Sequence, residues 1–407
     1  MVCTLVSLIF AALLWLGSYH YDAEVGGIVI KTLMITSSFF FLFFIPLGMM
    51  FAWLPLQKAE QNQTPRILEM FRKDGKIRLE SIWLSVFALT SLISVTDPFY
   101  GYVTNFHWFF PLWIILFGSA IDCLHHFVLR VLNYLNPFSV ITMFSAQAEK
   151  CIQNDKELDF CGWIDSLSEV AIKGIQRHST SVANLVLDEE QKLARLFLGA
   201  SKSIAHETQD AQTKAAGIVD KVSFTMFYLY QRLDIVFEKA LKAKLEPTCS
   251  LVVTSLGKIS VAAAQYDMSL ASAPIRFLGK CAKKAQDEGL EETALTASCV
   301  FSEIAKEILT QVDITYYEIK DPFLSIINGM EVLAKESFRR NKDMNIGLLA
   351  QPFKQLRELF KGDKVKNHQD TPIIVQNIDR VLGEFEALLI VMNTIPTIPK
   401  VNDTIGK

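Results

Sequence analysis

The chain lacks the spacings on which several large enzyme classes depend. It contains no G-x-x-x-x-G-K-[ST] phosphate loop, no G-x-G-x-x-G turn, no G-x-S-x-G elbow and no H-E-x-x-H helix. Nucleotide, dinucleotide, α/β-hydrolase and zincin chemistry are therefore without their usual sequence basis. The seven cysteines, at positions 3, 123, 151, 161, 249, 281 and 299, are odd in number and include no C-x-x-C pair. That argues against a disulfide framework or a structural zinc site, and leaves ordinary core thiols of a reducing compartment. Histidine is scarce too. Of seven, His20, His107, His125 and His126 fall at or near the ends of apolar runs, which leaves few for general-base work elsewhere. A basic excess is also missing: 40 Lys and Arg stand against 43 Asp and Glu, for a formal charge of −3. Nucleic acid is not an expected partner. No cofactor and no catalytic residue is expected from these absences.

What is present is apolar residue, unevenly distributed. The first 135 residues hold eight acidic and eight basic side chains, so the remainder carries the whole net charge. Four apolar segments lie in that first third. Residues 2–19 are uncharged over a length just sufficient to cross a hydrocarbon core of about 30 Å. No basic residue precedes Lys31, so this segment reads as a retained span and not as a cleaved secretory signal. Residues 28–56 form a second span, dense in phenylalanine (Phe39, Phe40, Phe41, Phe43, Phe44 and Phe51), with Lys31 placed to snorkel and Pro46 placed to bend the helix. Residues 80–95 are the shortest candidate. Residues 108–129 begin as an unbroken apolar run and acquire Asp122, His125, His126 and Arg130 only after about 21 Å of helix. Trp108 and Trp113 suit an interfacial belt.

The connection between the second and third segments, QKAEQNQTPRILEMFRKDGKIRLE, holds six basic residues, and the connections on either side of those spans hold none. By the positive-inside rule that connection faces the cytosol. The expected organisation is a four-span transmembrane region over residues 1–135, a cytosolic helical domain over 136–394 and an extended or disordered tail over 395–407. Both termini are then cytoplasmic, in the cell (inner) membrane.

From Asn136 onward apolar residues recur three and four apart without β-alternation, so the fold class is all-α. Helices are predicted at 138–154, 160–177, 181–201, 208–244, 248–266, 271–287, 291–311, 322–340, 347–360 and 373–392. Asp321-Pro322 reads as an N-cap followed by a first-turn proline. Prolines at 247, 274, 322, 352 and 372 are separated by 27, 48, 30 and 20 residues. The expectation is a bundle or an irregular stack of antiparallel helices with no fixed period. VSFTMFYLYQRLDIVF, apolar on nearly every side, reads as a central buried helix, with a helix lying on the inner leaflet as the alternative. Lys361 to Pro372 reads as an exposed linker.

One polar constellation is singled out by spacing. Asp122 and His126 share a helix face, with His125 and Cys123 beside them. They are candidates for an interfacial polar site that holds a metal or passes a proton, although a third or fourth ligand is not located by the sequence. The bland reading is a helix becoming polar where it leaves the membrane.

The His125-His126 pair, and LSEVAIKGIQRHSTSVANLVLDEEQKLARL from Leu167 to Leu196 with its spacing of Leu, acid, Ala, base and Leu, resemble an uncharacterised family of predicted bacterial membrane proteins. Members of that family place four amino-terminal spans before a cytosolic region. Ser179 to Asn184 stands where the family carries Asn-Asp-Pro. The resemblance covers the first half of the chain and implies location and architecture alone.

The functional expectation is an integral membrane protein that presents a cytosolic helical scaffold to a protein partner or to another copy of itself, with the lipid bilayer as its other partner. The alternative is an oligomeric channel or transporter subunit with the Phe-rich second span lining a pore.

Overall fold

The computed structural model describes residues 2–17, 23–94, 109–154, 156–207, 212–342 and 344–394, and every regular element among them is an α-helix. His20, His107, Trp108 and the tail 395–407 lie outside the described residues, as do the side chains of Lys31 and Pro46. Two compact units divide the chain, Met1–Thr142 and Met143–Lys407, against an expected boundary after residue 135.

Unit 1 contains α1 (Val2–Gly17), α2 (Ala23–Asn62), α3 (Arg66–Lys73), α4 (Gly75–Ile93) and α5 (Phe109–Leu135). The basic connection is itself helical: α2 continues through Pro46 to Asn62 as one 40-residue helix, and α3 and α4 take up the rest. Four helices of spanning length are not found among the described residues. Among the described residues two helices are long and apolar enough, Pro111–Leu135 and Glu246–Tyr266, while Val2–Leu13 and Thr32–Phe43 are shorter apolar stretches. The second of the long pair was not expected. It is mostly buried inside unit 2, where an apolar core helix meets the same length and composition criteria as a membrane span.

Helix α5 organises unit 1, packing on α1, α2 and α4. Met34, Phe41, Leu84, Phe87, Ala88, Trp113 and Ala120 form a core between α2, α4 and α5. The Phe41 and Phe87 rings meet edge to face with centroids 5.3 Å apart. Trp113 points inward, stacked on Phe117 at 5.4 Å, and its indole N–H donates to Ser91 Oγ at 2.8 Å. The ring therefore faces the core and not outward: a tryptophan can be buried when its one donor finds an acceptor, and Ser91 supplies it. Of the phenylalanines in α2, Phe41 is buried while Phe39, Phe40 and Phe43 face outward.

In unit 2 the helices form two rows. After α6 (Pro137–Gln153), which crosses the boundary between the units, come α7 (Glu157–Gln176), α8 (Thr180–Glu207), α9 (Gln212–Lys242), α10 (Glu246–Tyr266), α11 (Met268–Asp287), α12 (Glu291–Gln311), α13 (Lys320–Arg340), α14 (Ile346–Leu359), α15 (Asp363–Lys366) and α16 (Thr371–Thr394). Helices α7, α9, α11, α13 and α16 pack side by side as row A, and α8, α10, α12 and α14 as row B. Each row A helix down to α13 turns back into its row B neighbour.

Three of these hairpin turns share one conformation. His178 (φ 56°), Lys244 (φ 54°) and Gly289 (φ 78°) each occupy the left-handed region. In each turn the next residue's N–H reaches back five residues, from Ser179 to Gly174, Leu245 to Ala240 and Leu290 to Ala285. This is the helix-terminating geometry that satisfies the last carbonyls.

The stack is more regular than the proline gaps implied. Row A helices begin at Glu157, Gln212, Met268, Lys320 and Thr371, roughly 50 residues apart. Ion pairs join neighbouring row A helices, with Lys280–Asp234 at 2.5 Å, Lys284–Glu238, and Arg380–Glu331 at 2.7 Å. Proline marks some helix starts and not others, so its spacing does not report the period. The centre of the stack is α10, packed by α8, α9, α11 and α12. The expected central helix, α9, stands in row A with Phe224 and Phe227 exposed.

Several helix starts are closed by carboxylates from elsewhere in the chain. Glu246 Oε1 accepts from the Glu292 and Thr293 N–H groups at the start of α12. Asp370 Oδ2 accepts from the Ile319 and Lys320 N–H groups at 2.9 and 3.2 Å, closing α13. The expected cap, Asp321, instead lies within the first turn. The same bonds anchor residues 361–372, expected as an exposed linker: most of the segment is exposed, while Val365, Asp370 and Thr371 are buried.

Candidate functional site

Asp122 is buried and committed. Its carboxylate accepts from the Cys3 N–H (3.2 Å), the Thr4 N–H (3.0 Å) and the Thr4 hydroxyl (2.5 Å). Those are orphan amides of the first turn of α1, so α5 caps α1 across 118 residues of sequence. One turn earlier Gly118 allows this close approach: a Cβ there would fall on the Ser7 side chain and 2.8 Å from the Cys3 carbonyl. His125 and His126 are exposed on α5, their rings tilted and 6.1 Å apart. Cys123 Sγ lies 3.5 Å from the Glu80 carbonyl. The structure gives Asp122 a structural role and does not gather Asp122, His125 and His126 into a ligand set. Among the described residues no group of three or more His, Cys, Asp and Glu is placed to hold a metal ion.

A second polar cluster ties α5 to the turn between α3 and α4. Arg130 pairs with Glu80 at 3.1 Å and with Asp74 at 3.5 Å, and the Tyr134 hydroxyl donates to Asp74 at 3.1 Å. Asp74 also caps α4 by accepting from the Lys76 N–H at 2.9 Å.

In unit 2 a cleft of ≈ 440 Å³ opens across row B, where α8, α10 and α12 lie side by side. Arg195, Leu198 and Gly199 come from α8, Lys258, Val261, Ala262, Gln265 and Tyr266 from α10, and Glu307 and Gln311 from α12. Gln265 Nε2 donates to Gln311 Oε1 at 2.9 Å and spans two of the helices. A mixed lining in which cationic, acidic and amide groups outweigh the apolar surface suits a peptide segment whose backbone and charges they meet. No local motif announces these residues. They are distributed over more than a hundred positions and are brought together by the stacking of hairpins.

Behind the same row lies a buried carboxyl. Glu190 on α8 is fully inaccessible, accepts from Ser168 Oγ at 2.7 Å, and has no hydrogen-bond partner for Oε2 among the described residues. Burial pushes its pKa up to about 8, and the Ser168 hydrogen bond and the Arg232 charge offset only part of that rise. Arg232 itself pairs with Asp165 at 2.5 Å. With no opening to solvent, Glu190 is placed to act on the packing of α7, α8 and α9 and not on a substrate.

No family model and no curated protein matches this chain. Among solved structures it is similar to a "Circular tandem repeat protein with novel repeat topology and enhanced subunit contact surfaces", at 12% identity and a TM-score of 0.36, over 91% of this chain and 88% of that one.

Proposed function

We propose that this is an integral membrane protein in which unit 1 lies in the bilayer, both termini face the cytosol, and the helix stack of unit 2 binds a protein partner or a second copy along row B. The observation that carries the membrane half is the outward face of unit 1. Leu5, Leu8 and Phe10 on α1, Phe39, Phe40 and Phe43 on α2, Ile82, Val86 and Leu89 on α4, and Val128 and Leu132 on α5 are exposed around an apolar core that is already packed. Water-soluble proteins do not ordinarily carry apolar surface on this scale. The cleft over α8, α10 and α12 supports the binding half.

Alkaline carbonate extraction tests the first part: the chain stays with the membrane pellet. A photo-crosslinker at Lys258 in intact cells tests the second. One discrete adduct, lost when Arg195 is replaced by Glu, is expected. A chain released by carbonate, or a smear of adducts unaffected by Arg195→Glu, removes the corresponding half of the proposal.

A further inference from the structure

We propose that the turn between α3 and α4 is a binding site for the headgroup phosphate of an anionic phospholipid. This rests on the reading that unit 1 lies in a bilayer. Helix α3 is strongly two-faced: Ile67 and Phe71 are buried, and Arg72, Lys73, Lys76 and Arg78, at its end and in the turn, are exposed. Lys73 is answered by Glu69 at 2.6 Å. Arg72, Lys76 and Arg78 form no ion pair among the described residues.

The acids next to them in sequence do not neutralise this surface. Asp74 and Glu80 have side chains only 17% and 15% exposed, turned toward Arg130, and Asp74 is further held by the Tyr134 hydroxyl and the Lys76 N–H. The outward face of the turn is therefore left cationic. Arg78 Nη2 donates to the Arg72 carbonyl at 2.9 Å, which draws Arg78 back across the turn toward Arg72.

Immediately beyond these charges the surface becomes apolar, with Leu79 67% exposed, Ile82 60% and Trp83 39% on the opening turns of α4. A free anion would use the cations and leave Leu79, Ile82 and Trp83 in water. A phospholipid uses both, with its phosphate among Arg72, Lys76 and Arg78 and its acyl chains along α4. Juxtamembrane clusters of Lys and Arg attract anionic lipids through just this charge term.

The test uses the full chain in phosphatidylcholine nanodiscs, with brominated-chain phosphatidylglycerol or brominated-chain phosphatidylcholine added at equal mole fraction. Quenching of Trp83 fluorescence is read as the difference from a Trp83→Phe variant. The anionic quencher is expected to be preferred, by about fivefold for each unpaired cation. The preference should weaken as salt rises from 0.05 to about 0.5 M. The triple variant Arg72→Gln, Lys76→Gln, Arg78→Gln should remove it, and the charge-preserving Arg72→Lys, Arg78→Lys variant should keep most of it. Equal quenching by the two lipids in the unaltered chain overturns the proposal, as does a preference indifferent to salt or surviving in the triple variant. Competition by inorganic phosphate at constant ionic strength reassigns the site to a soluble anion and overturns the lipid assignment. A chain that never enters the nanodisc, and that carbonate strips from membranes, fails at the earlier step, which separates loss of the membrane reading from loss of this site.

Discussion

In unit 1 a packed interior of Met34, Phe41, Leu84, Phe87 and Trp113 is wrapped by a second apolar layer that faces outward, whereas in unit 2 the interior is covered by charge, with Lys280, Lys284, Lys335 and Arg380 pairing across neighbouring row A helices. With unit 1 in a bilayer, as proposed above, the two designs call on different forces. Removing apolar surface from water, at roughly 25 cal/mol per Å², can hold unit 2 together. In an apolar surrounding that gain disappears between helices, and association depends on close fit and on satisfied polar groups. Unit 1 has the features this demands: the glycine contact at Gly118, the Trp113–Ser91 hydrogen bond and the Asp122 cap.

The sharpest way to break this comparison is in the core of unit 2. The Phe301 ring lies against Gly329 and 3.7 Å from the Cβ position of Gly279, a gap lined by backbone that collapses poorly. Phe301→Ala should cost about 4 to 5 kcal/mol, measured by denaturant titration of the full chain in detergent. Next in size is Glu190. Its folded pKa is raised, so the stabilising state is the protonated one: the contribution is complete below the ordinary value of 4.5 and is lost as pH climbs through about 8. Stability should fall by several kcal/mol across that window, and Glu190→Gln should flatten the profile while raising the melting temperature at pH 8.5. A profile unchanged by the substitution would place the titration elsewhere.

A charge on the outward face separates the two units directly. Leu8→Arg in α1 should reduce membrane retention by an equivalent of about 3 kcal/mol. Leu295→Arg, on an exposed leucine of α12, should stay within about 0.5 kcal/mol of the parent. If both substitutions are silent, the distinction between the units is lost. The smallest effect lies in the hairpin turns. Lys244→Gly relieves a left-handed side-chain residue and should stabilise unit 2 by about 0.5 to 1 kcal/mol, while Gly289→Ala should do the reverse.

Most helices of unit 2 are legible because each buries one face, and a 3.6-residue period survives in the sequence whatever the partner. Predicted and observed limits for α12 coincide at 291–311. The repeat was not legible from proline, because what recurs is a backbone conformation that His178 and Lys244 adopt without the glycine that would announce it. One local echo was available, Leu245-Glu246-Pro247-Thr248 against Leu290-Glu291-Glu292-Thr293, each opening a row B helix just after the left-handed residue. Long-range pairings left no local trace. Asp122 reads as a polar residue at a helix exit, and only the fold brings the first turn of α1 to it. The cleft residues Arg195, Lys258 and Gln311 belong to three separate helices, and nothing in their neighbourhoods marks them as companions.

The bond between Asp122 and the backbone of Cys3 and Thr4 also sets an order of events during synthesis. Helix α1 leaves the ribosome well before the residue that closes its amide end exists. Until the chain has grown past position 122, those amides must rely on borrowed acceptors, so α1 is capped only after much of α5 has been made.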